Sequence, residues 1–188
     1  MTESPFIVFA LPRSRTAWLA QYLAYDGRIV GHDIAPKSDS IEGFFSAFDN
    51  GMSGTVETGA MMGWRLFRER FPEAAIAVIR RPVQDVKRSL GQFGIFPREG
   101  DLEAKDAILD EIAREAGVLS VSFFGLYNEI IRRSLFEHCL PCWWDQQWDK
   151  KLAALNIQID VMDAMKKVAA NQDAIIAMKK EIEARANA

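Results

Sequence analysis

Cysteine is scarce in this 188-residue chain, which holds only Cys139 and Cys142. Two thiols cannot build a disulfide framework, so a reducing cytoplasm is the expected setting. The pair could suggest zinc with His138, but one Cys-x-x-Cys and one His lack a fourth ligand, so no metal is expected and both thiols read as helix-end packing. Long apolar runs are also missing. The N-terminal run Phe6–Leu11 is six residues long and follows Glu3 without a basic segment, so neither a signal peptide nor a membrane span is expected. There is no excess of positive charge: 23 Lys and Arg face 26 Asp and Glu, a net charge of −3, which argues against general nucleic-acid coating. Glycine and proline are few, 12 and 7, against 49% hydrophobic residues, which excludes a disordered or low-complexity chain.

What is present fits one domain of ordinary size. The charge is uneven. Between Ala60 and Arg98 there are eight bases and three acids, enough for a local anion site in an acidic protein. Phe6–Ala10 is a continuous apolar run, the mark of a strand buried on both faces. Trp18, Leu19, Tyr22 and Leu23 then fall at helical spacing. Arg28–Gly31 reads as a second strand, and Ile41–Phe48 as a helix with Ser40 as its N-cap. Thr55–Thr58 is a third strand, Ala60–Phe71 a helix stopped by Pro72, and Ala75–Ile79 the clearest strand after the first. Pro82 suits the opening of a helix running to about Gly91. Leu102–Ala116 is a charged helix, Val118–Phe123 a fifth strand and Asn128–Leu140 an amphipathic helix ended by Pro141. Strands alternating with helices in this way predict an α/β domain, a parallel sheet with helices on both faces.

The C-terminal part reads differently. Ile157, Ile159 and Val161 alternate with polar residues, as in a short extended crossing. From about Asp160 the apolar positions Met162, Met165, Val168, Ile175, Ile176 and Ile182 keep helical spacing. The division is therefore a domain over residues 1–159 and a helical extension over 160–188. That helix either lies across the same domain or offers its stripe to a partner or a second copy. Trp143, Trp144 and Trp148 read as hydrophobic cover.

Chemistry is expected beyond the first strand, where a helix N-terminus presents unpaired amides and partial positive charge. A nucleotide-triphosphate loop needs Gly-rich turns and a Gly-Lys-Ser/Thr ending, yet Phe6–Trp18 contains neither Gly nor Lys. An ordinary ATPase or kinase is thereby disfavoured. Pro12-Arg-Ser-Arg-Thr-Ala-Trp18 instead resembles the 5′-phosphosulfate loop of sulfotransferases, commonly Pro-Arg/Lys-Ser-Gly-Thr-Thr. Ala77-Val-Ile-Arg-Arg-Pro-Val-Gln-Asp-Val-Lys-Arg-Ser89 is similar to the 3′-phosphate segment of that family, and Val121–Leu140 has the element order usual near the end of such domains. The overall look is that of the small sulfotransferase-like P-loop proteins of bacteria and phages. Arg15 stands where the family has its loop glycine, and Ser89 lies nine residues after Arg80 where many relatives have eight.

The resemblance implies a three-layer P-loop fold with about five parallel strands in the order 2-3-1-4-5. It implies transfer of a sulfuryl group from 3′-phosphoadenosine 5′-phosphosulfate to an unidentified hydroxyl or amine, with no metal. Arg13 would hold the sulfuryl oxygens, Ser14, Arg15, Thr16 and Ala17 the 5′ group, and Arg80 and Ser89 the 3′-phosphate. A general base is expected at the end of the second strand, where His32 and Asp33 stand, with Glu57 in reserve. The rival expectation is a catalytically silent module of the same fold that binds a nucleotide, or a protein through its late helix.

Overall fold

The computed structural model describes residues 4–157 and 172–186. Strands β1 (Phe6–Ala10), β2 (Val30–His32), β3 (Gly54–Glu57), β4 (Ala75–Arg80) and β5 (Leu119–Ser122) form one parallel sheet in the order β2-β3-β1-β4-β5. All five residues of β1 are buried, as a central strand covered on both faces requires. Its register runs Phe6 to Gly54 on one side and Phe6 to Ala75 on the other. Gly54 is dictated by that pairing, because a Cβ there would lie 2.4 Å from the Phe6 ring.

Alternation along β1 sorts the core into two layers. Phe6, Val8 and Ala10 face α1 (Thr16–Leu23), α6 (Glu129–Cys139) and α7 (Gln146–Ala153). Ile7 and Phe9 face α2 (Ile41–Asp49), α3 (Trp64–Arg70), α4 (Val83–Gly91), α5 (Asp101–Ile112) and α8 (Gln172–Ala186). The result is the expected three-layer α/β architecture and strand order. Ser40 caps α2 as its position implied, its Oγ accepting from Gly43 N at 3.0 Å. Short 3-10 turns at Ala60–Gly63 and Phe123–Tyr127 replace the start of one expected helix and extend the approach to another.

One feature departs from the sequence reading. Gln146–Ala153 forms a helix where the sequence pattern offers only tryptophan cover. Asp145 caps it by accepting from Gln147 N and Trp148 N. It is pinned by a fully buried carboxylate: Arg132 grips both oxygens of Asp149 at 2.6 Å, and Tyr22 Oη donates to the same group at 2.9 Å. Trp144 and Trp148 do cover the core, and both also donate to Tyr22, whereas Trp143 is exposed. The C-terminal helix takes one of its two expected courses. Its described portion, α8, lies across the same domain: Arg185 pairs with Glu42, and Met178 and Ile182 pack on the second core layer. The expected extended crossing past Ile157 and the helical positions Met162, Met165 and Val168 fall outside the described residues. No helix among the described residues is long and apolar enough to cross a membrane.

Candidate functional site

Because the sheet is parallel, its carboxyl edge gathers the segments that follow each strand: 11–15 after β1, Asp33 onward after β2, Thr58 onward after β3 and Arg81 onward after β4. The loop after β1 has two left-handed residues, Arg13 at φ 65° and Arg15 at φ 60°. Left-handed backbone costs a non-glycine residue roughly 1–2 kcal/mol. Arginine therefore adopts at position 15 the conformation for which the resembling loop uses glycine. Its guanidinium is held over the Trp18 ring at 4.3 Å and the Tyr127 ring at 5.2 Å, which offsets part of that cost.

Arg15 precedes α1 without any side-chain cap, so the first-turn amides of Thr16, Ala17 and Trp18 have no capping side chain. Beneath the loop lies Ser14, completely buried, with a hydroxyl that has no hydrogen-bond partner among the described residues. A buried hydroxyl left unpaired costs about 1–3 kcal/mol unless a ligand or water meets it.

Two expected segments meet here. Arg13 Nε donates to Ser89 Oγ on α4 at 3.3 Å. Arg80, expected beside Ser89 as a phosphate ligand, is turned elsewhere: it shares the face of Ile76 and Val78 and pairs with Asp106 at 2.9 Å and with Asp110, both on α5. Its neighbour Arg81 takes the position at the loop. Arg81 donates to the Arg13 carbonyl, lies over the Phe123 ring at 4.2 Å, and keeps a buried Nε without a partner among the described residues. Arg81 was not singled out from the sequence, although a signal existed, since Ser89 is its eighth following residue. Among the described residues no carboxylate pairs with Arg15 or Arg81. Burial lowers the pKa of Arg13, Arg15 and Arg81 from the usual guanidinium value; at Arg81 the charge of Asp85 acts the other way and Arg13 adds repulsion.

The second-strand residues reach the same loop. His32 Nε2 lies 2.9 Å from Thr16 Oγ1 and 3.5 Å from Asp33 Oδ2. Burial lowers the His32 pKa from its ordinary value, the charge of Asp33 opposes this and Lys37 adds to it, so the balance favours the neutral imidazole. Asp33, itself left-handed at φ 47°, accepts from Thr58 N at 2.7 Å and Thr58 Oγ1 at 3.0 Å. Glu57 is buried completely. It accepts from Thr55 Oγ1 at 2.7 Å, Ile34 N at 2.8 Å and Ala35 N at 3.4 Å, so its carboxylate shapes the turn after β2 from below. Desolvation and the charge of Asp33 push its pKa up to about 7 despite those donors.

Ring faces surround the arginines, Phe93 under Arg13 at 4.3 Å among them, and Phe124 and Tyr127 are exposed. Away from this edge, His138 Nε2 bonds the Ile76 carbonyl at 2.9 Å and Cys139 is buried in the core. Among the described residues no group of three or more potential ligands is placed to hold a metal. No protein-family model matches the chain, and no curated protein matches it at significance.

Proposed function

We propose that the chain is a sulfotransferase-type transferase that grips the phosphosulfate end of 3′-phosphoadenosine 5′-phosphosulfate at the loop after β1. The observation that carries the reading is the buried Ser14 hydroxyl, which has no partner among the described residues. It lies in the loop just before helix amides that no side chain caps, next to Arg15 and to the Arg13 carbonyl that Arg81 holds, and among the described residues neither guanidinium forms an ion pair, although the charge of Asp85 reaches Arg81. Such a site is built for a multiply charged oxyanion, because amides, hydroxyl and planar guanidiniums each supply a directed donor.

In this reading Arg13, Ser14, Arg15, Thr16 and Ala17 hold the 5′ group. Arg81 and Ser89 serve the 3′-phosphate, since the two carboxylates of α5 already neutralise Arg80. Transfer breaks the bond from sulfur to the bridging oxygen and forms one from sulfur to the acceptor oxygen or nitrogen. The acceptor proton goes to His32, which lies at the loop and whose burial favours the neutral form, in preference to Glu57, whose oxygens are enclosed. Charge leaving with the bridging oxygen is met by Arg13.

The test needs no acceptor. Adenosine 3′,5′-bisphosphate at 100 times its Kd stabilises the native state by about 2.7 kcal/mol, a melting shift of roughly 5–11 °C for a domain of this size. AMP should give far less and ATP little. Equal shifts with the bisphosphate and AMP at millimolar concentration would sink the reading. Tight bisphosphate binding without turnover over a broad panel of acceptors would leave the silent nucleotide-binding module instead.

A further inference from the structure

A cavity of about 210 Å³ lies on the opposite layer from α1, between β1, α2, the 3-10 turn before α3, α5 and α8. Phe9, Phe44, Leu66 and Met178 are among its walls, and its only charged described residues are Lys105 and Lys179. An apolar chamber fringed by two cations and no carboxylate has a definite complement. Its walls favour a hydrocarbon, and its cations favour an anionic head. At about 30 Å³ for each water in the liquid, a volume close to that of one methylene, the chamber holds a chain of roughly seven or eight carbons.

We propose that this cavity binds a medium-chain alkyl carboxylate, with the chain between α2, α3 and α8 and the carboxylate between Lys105 and Lys179. Lys105 Nζ donates at 3.3 Å to the Thr58 carbonyl, which fixes the ammonium beside the chamber. Burial and the neighbouring charge of Lys179 both disfavour its charged form. Asp33 and Asp101, which act on it the other way, do not line the chamber. A carboxylate between the two ammoniums removes that repulsion. Helix α8 closes one side: it contributes Met178, Lys179 and Ile182, and Ile182 covers Gly63 where a Cβ would stand 3.4 Å away. The proposal uses no part of the nucleotide site.

Calorimetric titration of the full chain with octanoate, octanol and octylamine tests it. Octanoate should bind saturably at one site, with octylamine at least about tenfold weaker. Lys105→Met and Lys179→Met should each weaken octanoate about tenfold, and Leu66→Trp, which fills the chamber, should abolish binding. Lys179 is exposed, so its variant leaves the fold intact and stays informative if Lys105→Met does not fold. Absence of saturable octanoate binding overturns the proposal. So does equal affinity for octanol or octylamine, or indifference to both lysine variants. Octanoate binding that disappears in Arg81→Ala would assign the carboxylate to the arginine loop, and overturns it as well.

Discussion

Arg13 Nε donates to Ser89 Oγ at 3.3 Å, joining the loop after β1 to a helix 76 residues further along the chain. Arg81, just before that helix, closes the same junction from the other direction through the Arg13 carbonyl. The two basic segments are thus one unit before any ligand arrives. Guanidiniums held by aromatic faces and backbone lose little freedom on binding an anion, which is the physical advantage of assembling the site in advance.

The first prediction separates two adjacent arginines. Arg81→Ala should weaken adenosine 3′,5′-bisphosphate about tenfold or more, since a charge-assisted bond is removed from the loop. Arg80→Ala should change affinity less than about threefold, because its charge is already spent on the partly exposed Asp106 and Asp110. Calorimetry on both variants checks this. A larger loss in Arg80→Ala would return the phosphate role to the strand residue.

Ser14→Ala separates ligand binding from stability. The unbound protein should be as stable as the parent or up to about 1 kcal/mol more stable, because an unsatisfied buried hydroxyl disappears. The melting shift produced by the bisphosphate should shrink in the same variant. Thermal melts with and without ligand give both numbers. A destabilised unbound variant with an undiminished ligand shift would show that Ser14 is a packing residue only.

Much of this was legible from local pattern. β1 and β4 are continuous apolar runs that only a doubly covered strand tolerates, and the helices between them carry spacings that fix their inner faces. Even the orientation of Arg80 follows from β alternation, since Ile76, Val78 and Arg80 share one side. The place of Arg80 in the motif hides that parity. Other features depend on distant partners. α7 has only Asp149 and Leu152 buried, too few to reveal a periodicity, and its burial depends on Arg132 and Tyr22. The lysine-fringed cavity joins residues 7 to 182, and no local window contains it.

Asp149 supplies the third prediction. Its carboxylate is fully buried and bonded to Arg132, which is itself nearly buried, and to Tyr22. Asp149→Ala leaves an unpaired buried guanidinium and should destabilise the protein by about 3–5 kcal/mol. Asp149→Leu combined with Arg132→Met removes both charges at similar volume and should recover most of that loss. Chemical denaturation of the two variants decides it. If the double variant is no better than Asp149→Ala, the network specifies the docking of α7 beyond its charges.

The last prediction concerns Glu57 and His32, whose pKa values shift so that they bend stability in opposite directions. Glu57 in the folded protein holds its proton up to about pH 7, against an ordinary value of 4.5. Between those values the native state binds more protons than the unfolded chain, so this group lowers stability as pH rises through that window. The shift corresponds to about 3 kcal/mol as an order of magnitude, or roughly 6–12 °C in melting temperature. His32 has a folded value below its ordinary 6.5. There the unfolded chain binds more protons, so stability from this group falls as pH drops below about 6.5. Melting curves of the parent, Glu57→Gln and His32→Gln from pH 5 to pH 8 separate the two. The parent should lose ground against Glu57→Gln as pH rises to about 7 and then run parallel to it. Against His32→Gln the parent should gain ground as pH rises towards 6.5. The slopes are the readout, since the amide introduced by Glu57→Gln would face the Ala35 N–H and shift the baseline at every pH. A Glu57→Gln curve parallel to the parent throughout would mean that the carboxyl titrates at its ordinary value, and that water reaches it beneath the loop.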